Sequence, residues 1–349
     1  MQSSIPMRLA GLLLLAPCFA FAFEQPRVLV DCVSIKSDNL RLACFDRLAA
    51  ASIAESGNKL DLPTDLASTL PPRNANFAAN GNKNPVFSLA RHWELDSEHK
   101  LGTFSFRPHY SNYILFANHT SSPNQAPSSP TLGMTKRGID LNDTEVKFQL
   151  SFKMKLMEEV AATDADIWFG YTQESNWQLY NRKASSPFRE SDYQPELMLV
   201  MPVDFNFLGM RARFINTGLV HQSNGLAAPL SRSWNRVYAQ LGMEKDNFAL
   251  SGRVWKRLQE SRSNDDNPDI VDYMGHGELA GVYRRDGHIF SMLARRNFAS
   301  GRGAVQAGWA FPLAENVKGY MLAFSGYGQS MIDYNHYQTT IGLGLWFGY

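Results

Sequence analysis

A histidine and a serine lie two positions apart, at His221 and Ser223, and could serve as the base and the nucleophile of a hydrolytic reaction. In a β-strand, residues i and i+2 project from the same face, so the two side chains would lie side by side. The rest of that face is mostly apolar and consists of Ile215, Thr217 and Leu219. An imidazole beside a hydroxyl on an apolar face predicts a nucleophile that works in contact with lipid.

The following segment adds a third polar side chain, Asn235, beyond the turn-rich residues 224–229. A hairpin centred near Ala228 would place Asn235 directly opposite His221 on the same face. Serine, imidazole and an orienting amide then share one patch. This is the nucleophile–base–orienter arrangement of serine hydrolases, with Asn in the usual Asp position. A lone His-x-Ser pair is also common as a purely structural feature.

The composition restricts the class of protein. The chain has 349 residues and a formal net charge of +1, which argues against nucleic acid as a partner. Its mean hydropathy of −0.28 is low for a helical membrane protein. After the first 22 residues, the longest apolar run is 197–203, far shorter than the roughly 20 residues of a spanning helix. The chain is therefore expected to be either exported and soluble or a membrane β-barrel.

The N-terminal part predicts export and a small separate segment. Residues 1–22 resemble a secretory signal peptide, because Arg8 precedes an apolar run that ends at Ala22, the expected cleavage site. Residues 23–84 are predicted to be a helical segment followed by a linker rich in Asn, Pro, Ala and Ser. Cys32 and Cys44 could form a disulfide in an oxidising periplasm, or remain two free thiols.

Residues 85–349 have the pattern of a transmembrane barrel, with alternating segments of about 10–13 residues between turn residues. The last segment, 339–349, alternates apolar and small residues and ends in an aromatic residue, which is typical of bacterial outer-membrane barrels. An even number of strands would place both chain termini on the periplasmic side. The alternative is a secreted β-sandwich with two apolar sheet faces. The predicted strands, about twelve, span 99–116, 144–156, 163–179, 193–205, 209–223, 231–243, 247–259, 273–283, 286–297, 302–314, 317–328 and 336–349.

From about residue 85 to the end, the chain resembles the outer-membrane phospholipase A family. The similarity lies in six stretches, in order along the chain: 171–178 (YTQESNWQ), 185–190 (SSPFRE), 221–225 (HQSNG), 231–236 (SRSWNR), 264–270 (NDDNPDI) and 325–334 (SGYGQSMIDY). The resemblance implies a twelve-stranded antiparallel β-barrel in the outer membrane. It also implies a calcium-dependent acyl hydrolase of the A1, A2 and lysophospholipase type that is active as a homodimer.

The same resemblance assigns roles to individual residues. Ser223 would be the nucleophile, His221 the general base and acid, and Asn235 the residue that holds the imidazole. This assignment agrees with the argument from strand faces, which was made without the family. The active site would lie towards the outer leaflet.

The resemblance also implies calcium ligands. These would be the Ser231 hydroxyl, the Leu226 carbonyl and the Ser185 carbonyl of the partner subunit. Relatives often have Arg in place of Leu226, a change that a main-chain ligand tolerates. Asp266 matches half of a second calcium site, used in the monomeric state, in which Ala228 replaces the other acidic residue. Such a site is not expected to survive intact.

Some of these features have simpler interpretations. Asp265 and Asp266 precede Pro268 and would ordinarily be interpreted as turn residues. Arg232 and Arg236 are predicted to face the lumen and to pair with interior Glu or Asp. By the same resemblance, Gln173 matches a buried polar contact at the family's dimer interface. By alternation it faces lipid, where its amide would bond to a partner amide across that interface. The alternative function is a non-enzymatic barrel, such as a porin or a scaffold.

Overall fold

The computed structural model describes residues 88–348, apart from 262, 264, 315 and 316, together with Cys32, Arg41, Leu42, Cys44 and Phe45. The chain divides into two compact units, Met1–Asn82 and Lys83–Tyr349. In the first unit a disulfide joins Cys32 to Cys44, which confirms that pairing. The predicted signal peptide and nearly all of residues 23–84 lie outside the described residues, so these assignments stay predictions.

Antiparallel strands close into a twelve-stranded barrel in the second unit. They are β1 Asn112–Thr120, β2 Thr144–Met157, β3 Asp166–Trp177, β4 Phe188–Phe207, β5 Met210–Ser223, β6 Ser233–Lys245, β7 Phe248–Leu258, β8 Gly277–Arg285, β9 His288–Arg296, β10 Gly303–Ala314, β11 Val317–Tyr327 and β12 Tyr337–Gly348. Each strand pairs with its neighbours in sequence, and β1 also pairs with β12, which closes the cylinder. The predicted barrel is confirmed and the sandwich is excluded, because a sandwich has open sheet edges.

The strands alternate in exposure as the sequence predicts. In β5, Ile215 and Leu219 are exposed on the outer face, whereas Phe214 and Val220 are buried inside. The outer face of β12 likewise exposes Ile341 and Leu343. An apolar outer wall around a polar and aromatic interior is the pattern of a barrel whose solvent is the bilayer.

The predicted first strand, 99–116, is wrong over most of its length. Helix α1, Leu89–Trp93, precedes this segment, and its N-cap Ser88 accepts a hydrogen bond from the Arg91 amide. The backbone then turns through positive φ at Gly102 (78°) and Phe104 (56°), which an extended strand cannot accommodate. Only Phe106–Pro108 pairs with the edge of β2, and the barrel wall starts at Asn112.

The interior of the barrel is packed with large side chains. Trp93 of α1 is buried against Trp168 and Phe214, with ring centroids 6.1 and 5.2 Å away. Lys153 Nζ lies 3.5 Å from the centroid of the Trp93 ring, which is a cation–π contact. A second short helix, α2 Ile270–Met274, belongs to the same buried cluster. Among the described residues, no helix combines the length and apolarity needed to cross a membrane.

The connections that follow the odd-numbered strands lie at one end of the barrel, which we call the loop end. They comprise 121–143, 178–187, 224–232, 259–276, 297–302 and 328–336. The opposite end carries tight turns at 208–209, 246–247 and 286–287 and the longer connection 158–165. β5 finishes at the loop end and β6 starts there, so the residues at this junction are placed at one rim of the wall.

Candidate active site

The β5–β6 ladder positions the predicted catalytic group. His221 pairs directly with Asn235, and Ser223 pairs with Ser233. The flanking side chains, Val220 and Trp234, are buried inside the barrel. His221, Ser223 and Asn235 therefore all project from the outer face, as the strand argument predicts.

A short hydrogen bond joins the imidazole to the amide. His221 Nδ1 and Asn235 Oδ1 are 2.8 Å apart. An amide oxygen can only accept, so Nδ1 must donate the proton. In the neutral imidazole the other ring nitrogen, Nε2, is then unprotonated and can act as a base.

Glu260 contacts the same amide from its other side. Asn235 Nδ2 donates to Glu260 Oε1 at 3.2 Å. Asn235 of β6 pairs with Leu258 of β7. In β7 the alternate positions Val254, Lys256 and Leu258 face outward. Two residues further on, Glu260 continues that outward series. Sequence reasoning missed Glu260, although this two-residue periodicity would have placed it beside Asn235.

A buried asparagine holds the loop that follows Ser223. Asn224 Oδ1 accepts from the Arg232 amide at 2.9 Å, and its Nδ2 donates to the Leu230 carbonyl at 2.9 Å. Asn267 supports the next strand, because its Oδ1 accepts from the Ser233 amide at 2.9 Å. Sequence reasoning gave no role to either asparagine. The available signal was an Asn before Gly225 in a turn, a position that favours side-chain bonds to the backbone.

The residues assigned to calcium lie at the loop end but in three different connections. Leu226 and Ser231 share the 224–232 loop. Ser185 follows the short helical turn Arg182–Ala184, is exposed and has a φ of 62°. Asp266 is partly exposed in the 259–276 loop. The turn interpretation fits its neighbour Asp265, whose Oδ1 accepts from the Asn267 amide at 3.1 Å and from Arg257 Nη2 at 2.7 Å.

The two lumenal arginines face inward as predicted, but the expected carboxylate partners are wrong. Arg232 Nη1 donates to the carbonyls of Pro229 and Ser231, at 3.2 and 2.6 Å. Arg236 Nη2 donates to Gln222 Oε1 at 2.9 Å, and its guanidinium carbon lies 4.0 Å from the Trp234 ring centroid. Carbonyl, amide and aromatic groups near the rim therefore replace the expected ion pairs.

Gln173 stands on the outer side of β3 and is only partly buried. Its Oε1 accepts from the Tyr171 hydroxyl at 3.2 Å, and its Nε2 donates to Ser175 Oγ at 3.1 Å. These three residues make a polar stripe on a wall that is otherwise apolar. A bond to a partner's amide would require Gln173 to exchange one of these contacts.

Comparison with known proteins identifies the family. The family model described as Phospholipase A1 matches residues 89–347. The chain belongs to the phospholipase A1 family. A Neisseria meningitidis relative, named "Putative phospholipase A1", is 38% identical over 366 residues and covers 97% of this chain and 94% of its own.

Two solved structures of outer-membrane phospholipase A share the fold. The Escherichia coli protein, an active-site mutant with alanine in place of an asparagine, is 34% identical with a TM-score of 0.64, covering 71% of this chain and 94% of its own. The Salmonella typhi protein, a dimer with bound calcium, is 35% identical with a TM-score of 0.64, covering 70% of this chain and 93% of its own. This phospholipase A1 family member is thus an ester hydrolase built on an outer-membrane β-barrel.

Proposed function

We propose that this chain is a calcium-dependent outer-membrane phospholipase that cleaves acyl esters of phospholipids and lysophospholipids, with both A1 and A2 specificity. Ser223 is the nucleophile, His221 the general base and acid, and Asn235 orients the imidazole. The observation that carries the proposal is the 2.8 Å bond between His221 Nδ1 and Asn235 Oδ1 on the outer face of the wall. The mutated active-site asparagine of the Escherichia coli relative supports the role of Asn235.

The chemistry follows from these positions. His221 Nε2 removes the proton of the Ser223 hydroxyl as its oxygen attacks the acyl carbonyl, giving a tetrahedral intermediate. When the ester bond breaks, His221 returns the proton to the leaving lysophospholipid oxygen. Water then attacks the acyl-enzyme with His221 again acting as base, and the fatty acid is released. Phospholipid reaches this face from the bilayer, since the group projects outward.

The donor set assigned to calcium suits that ion. Ca²⁺ prefers oxygen ligands, and the Ser231 hydroxyl, the Leu226 carbonyl and the Ser185 carbonyl of the partner subunit are all oxygens. When bound, the ion supplies positive charge that stabilises the oxyanion of the tetrahedral intermediate. Ser231 and Leu226 belong to the loop that starts beside Ser223, which is where such a charge is needed.

A ligand from the partner subunit makes dimerisation the switch for activity. The 178–187 loop that carries Ser185 is at the same end of the barrel as the 224–232 loop. A second, monomer-state site at Asp266 would be weak in this chain, because Ala228 brings no carboxylate to it. We infer that the loop end faces the outer leaflet, since short turns of such barrels lie in the periplasm. The dimeric, calcium-bound Salmonella typhi relative supports this proposal.

Release of fatty acid from mixed phospholipid–detergent micelles tests the proposal. Ser223→Ala should lower kcat by at least about 10³-fold, whereas the loop variant Ser261→Ala should match the wild type. A chelator should lower the rate by about 10²-fold or more, because an oxyanion stabiliser is lost. Full hydrolysis by Ser223→Ala would support a non-enzymatic barrel with contaminating activity, and chelator-resistant hydrolysis would remove the role of the metal. Phospholipids labelled separately at the sn-1 and sn-2 acyl chains distinguish A1 from A2 cleavage.

A further inference from the structure

Glu260 is a carboxylate placed directly behind the orienting amide of the proposed site. We propose that Glu260 is a positioning residue, which fixes the orientation of the Asn235 amide and, through it, the protonation pattern of His221. This inference rests on the roles proposed above for Ser223, His221 and Asn235. It adds a fourth group to the arrangement that the sequence predicted.

The backbone puts Glu260 in this place. Asn235 lies between His221 of β5 and Leu258 of β7 in one row across three strands. Val254 and Leu258 are exposed on the outer face, and Glu260 is the next position of the same parity. Residues i and j±2 on neighbouring strands are diagonal neighbours, within reach of a long side chain. The ladder ends at Leu258, and the chain that leaves it brings Glu260 Oε1 to 3.2 Å from Asn235 Nδ2.

An asparagine amide has two ends that differ chemically but hardly in shape. If the amide were reversed, its NH₂ group would face His221, and Nδ1 would have to accept. The imidazole proton would then sit on Nε2, and the nitrogen needed to deprotonate Ser223 would be lost. An ionised carboxylate can only accept hydrogen bonds, so Glu260 selects the NH₂ end of Asn235. The oxygen end is left for His221 Nδ1.

Glu260 also supplies the charge that an amide lacks. In serine hydrolases with an Asp, the carboxylate stabilises the imidazolium that forms when the His takes the serine proton. Asn235 is neutral and cannot do this by itself. A carboxylate one hydrogen bond further away provides part of that stabilisation, in a site beside the bilayer where solvent screening is weak. Imidazole, amide and carboxylate thus form one polarised chain.

Glu260→Gln removes both properties with little change in size. A glutamine can donate as well as accept, so both orientations of Asn235 become possible. We expect kcat to fall about tenfold with KM unchanged, because the wrong imidazole tautomer cannot act as base. Asp272→Asn is the matched control, since it removes an exposed carboxylate from helix α2 of the same 259–276 loop. The assay uses the full barrel in phospholipid micelles with calcium, and gel migration before and after heating verifies folding.

Relocating the charge separates this role from a structural one. Asn235→Asp places a carboxylate against Glu260, and the repulsion should lower kcat strongly. In the double variant Asn235→Asp/Glu260→Gln the charge lies next to the imidazole, and the introduced glutamine amide donates to the new carboxylate. We expect kcat of the double variant to exceed that of Asn235→Asp by about tenfold. The double variant still has one amide and one carboxylate at positions 235 and 260, with their positions exchanged.

The outcomes of the two proposals are distinguishable. Wild-type kcat in Glu260→Gln, or no rescue in the double variant, overturns the role of Glu260. If Asn235→Ala is then still impaired, the proposed Ser223–His221–Asn235 mechanism stands without it. Undiminished hydrolysis by Ser223→Ala overturns that mechanism, and the role of Glu260 with it.

Discussion

Asn224 Nδ2 donates to Glu190 Oε1 at 3.1 Å, so the loop after Ser223 is anchored to the inner wall of the barrel. Glu190 belongs to β4 and also accepts from the Ile332 amide at 2.7 Å. Both side chains are buried. The residues proposed to hold calcium on the outer rim therefore depend on a hydrogen bond made inside the barrel.

Asn224→Ala should weaken both the fold and the site. Glu190 would lose a buried donor, at a cost of about 1–3 kcal/mol in the free energy of unfolding. Loss of the Arg232 and Leu230 contacts should loosen the loop, so the calcium concentration for half-maximal activity should rise. Urea unfolding in micelles and a calcium titration of activity measure the two effects. Asn206→Ala, exposed at the far end of β4, is the control, and equal behaviour of the two variants would contradict the anchoring role.

Asp333 holds three parts of the loop end together. Its Oδ2 accepts from Arg189 Nη1 at 2.8 Å, and its Oδ1 accepts from Asn124 Nδ2 at 3.0 Å. Arg189 in turn forms a two-bond pair with Glu145, at 2.9 and 2.8 Å. Asp333→Asn should lower the free energy of unfolding by about 2 kcal/mol, because it removes a charge-assisted bond to Arg189. Equilibrium unfolding in urea at neutral pH tests this value.

The same carboxylate makes stability depend on pH. Burial acts to raise the pKa of Asp333, but the adjacent Arg189 guanidinium outweighs it and holds that pKa below its usual value. A depressed pKa in the folded state contributes stability above the ordinary Asp pKa of about 4, and this contribution is lost as the pH falls further. The difference in unfolding free energy between wild type and Asp333→Asn should therefore shrink below about pH 4. A difference that grows on acidification would contradict the assignment.

Ser231→Ala tests the only side-chain ligand proposed for the catalytic calcium. The hydroxyl is removed while the Leu226 carbonyl and the strand register remain. The calcium concentration for half-maximal hydrolysis should rise by about tenfold, which corresponds to roughly 1.4 kcal/mol of lost binding. Saturating calcium should restore most of the rate. A titration curve identical to that of the Ser261→Ala control would exclude the Ser231 hydroxyl as a ligand.

Gln173→Leu tests the polar stripe as a dimer contact. The leucine suits lipid better than an amide does, so the monomer should stay folded while the dimer loses about 1 kcal/mol of association free energy. The dimer fraction is measured by sedimentation in detergent with calcium. The measurement is repeated with substrate analogues of increasing chain length. Thr339→Val, another outward polar position, serves as control. An unchanged dimer fraction in Gln173→Leu would place the interface elsewhere.

The strand pattern was predictable because alternation depends only on local sequence. The pairing of His221 with Asn235 followed from a hairpin centred near Ala228, and the observed register confirms it. The start of the barrel was not predictable in the same way. Phe104 and Phe106 are spaced as neighbours on one side of a strand, but positive φ at Gly102 and Phe104 interrupts the extended backbone. The apolar alternation of the sequence carries no sign of this interruption.

The supporting residues of the site escaped prediction because they come from distant segments. Asn267 contacts the Ser233 amide from 34 residues away, and Asn224 contacts Glu190 across the same separation of 34. Such pairs depend on how loops fold over the rim rather than on any period in the sequence. The carboxylate partners expected for Arg232 and Arg236 failed for a different reason, since carbonyl and amide groups close to each guanidinium bind it instead.

A reactive group on the outer surface of a barrel can be contacted by side chains of its own barrel on one side only. The remaining surface that holds an acyl chain must come from whatever stands next to the barrel in the plane of the bilayer. Substrate selectivity would then depend on the barrel and on the protein beside it. The rate per barrel would depend on the density of protein in the membrane. Dilution of the barrel into excess lipid would slow turnover per molecule even though every molecule sees more substrate.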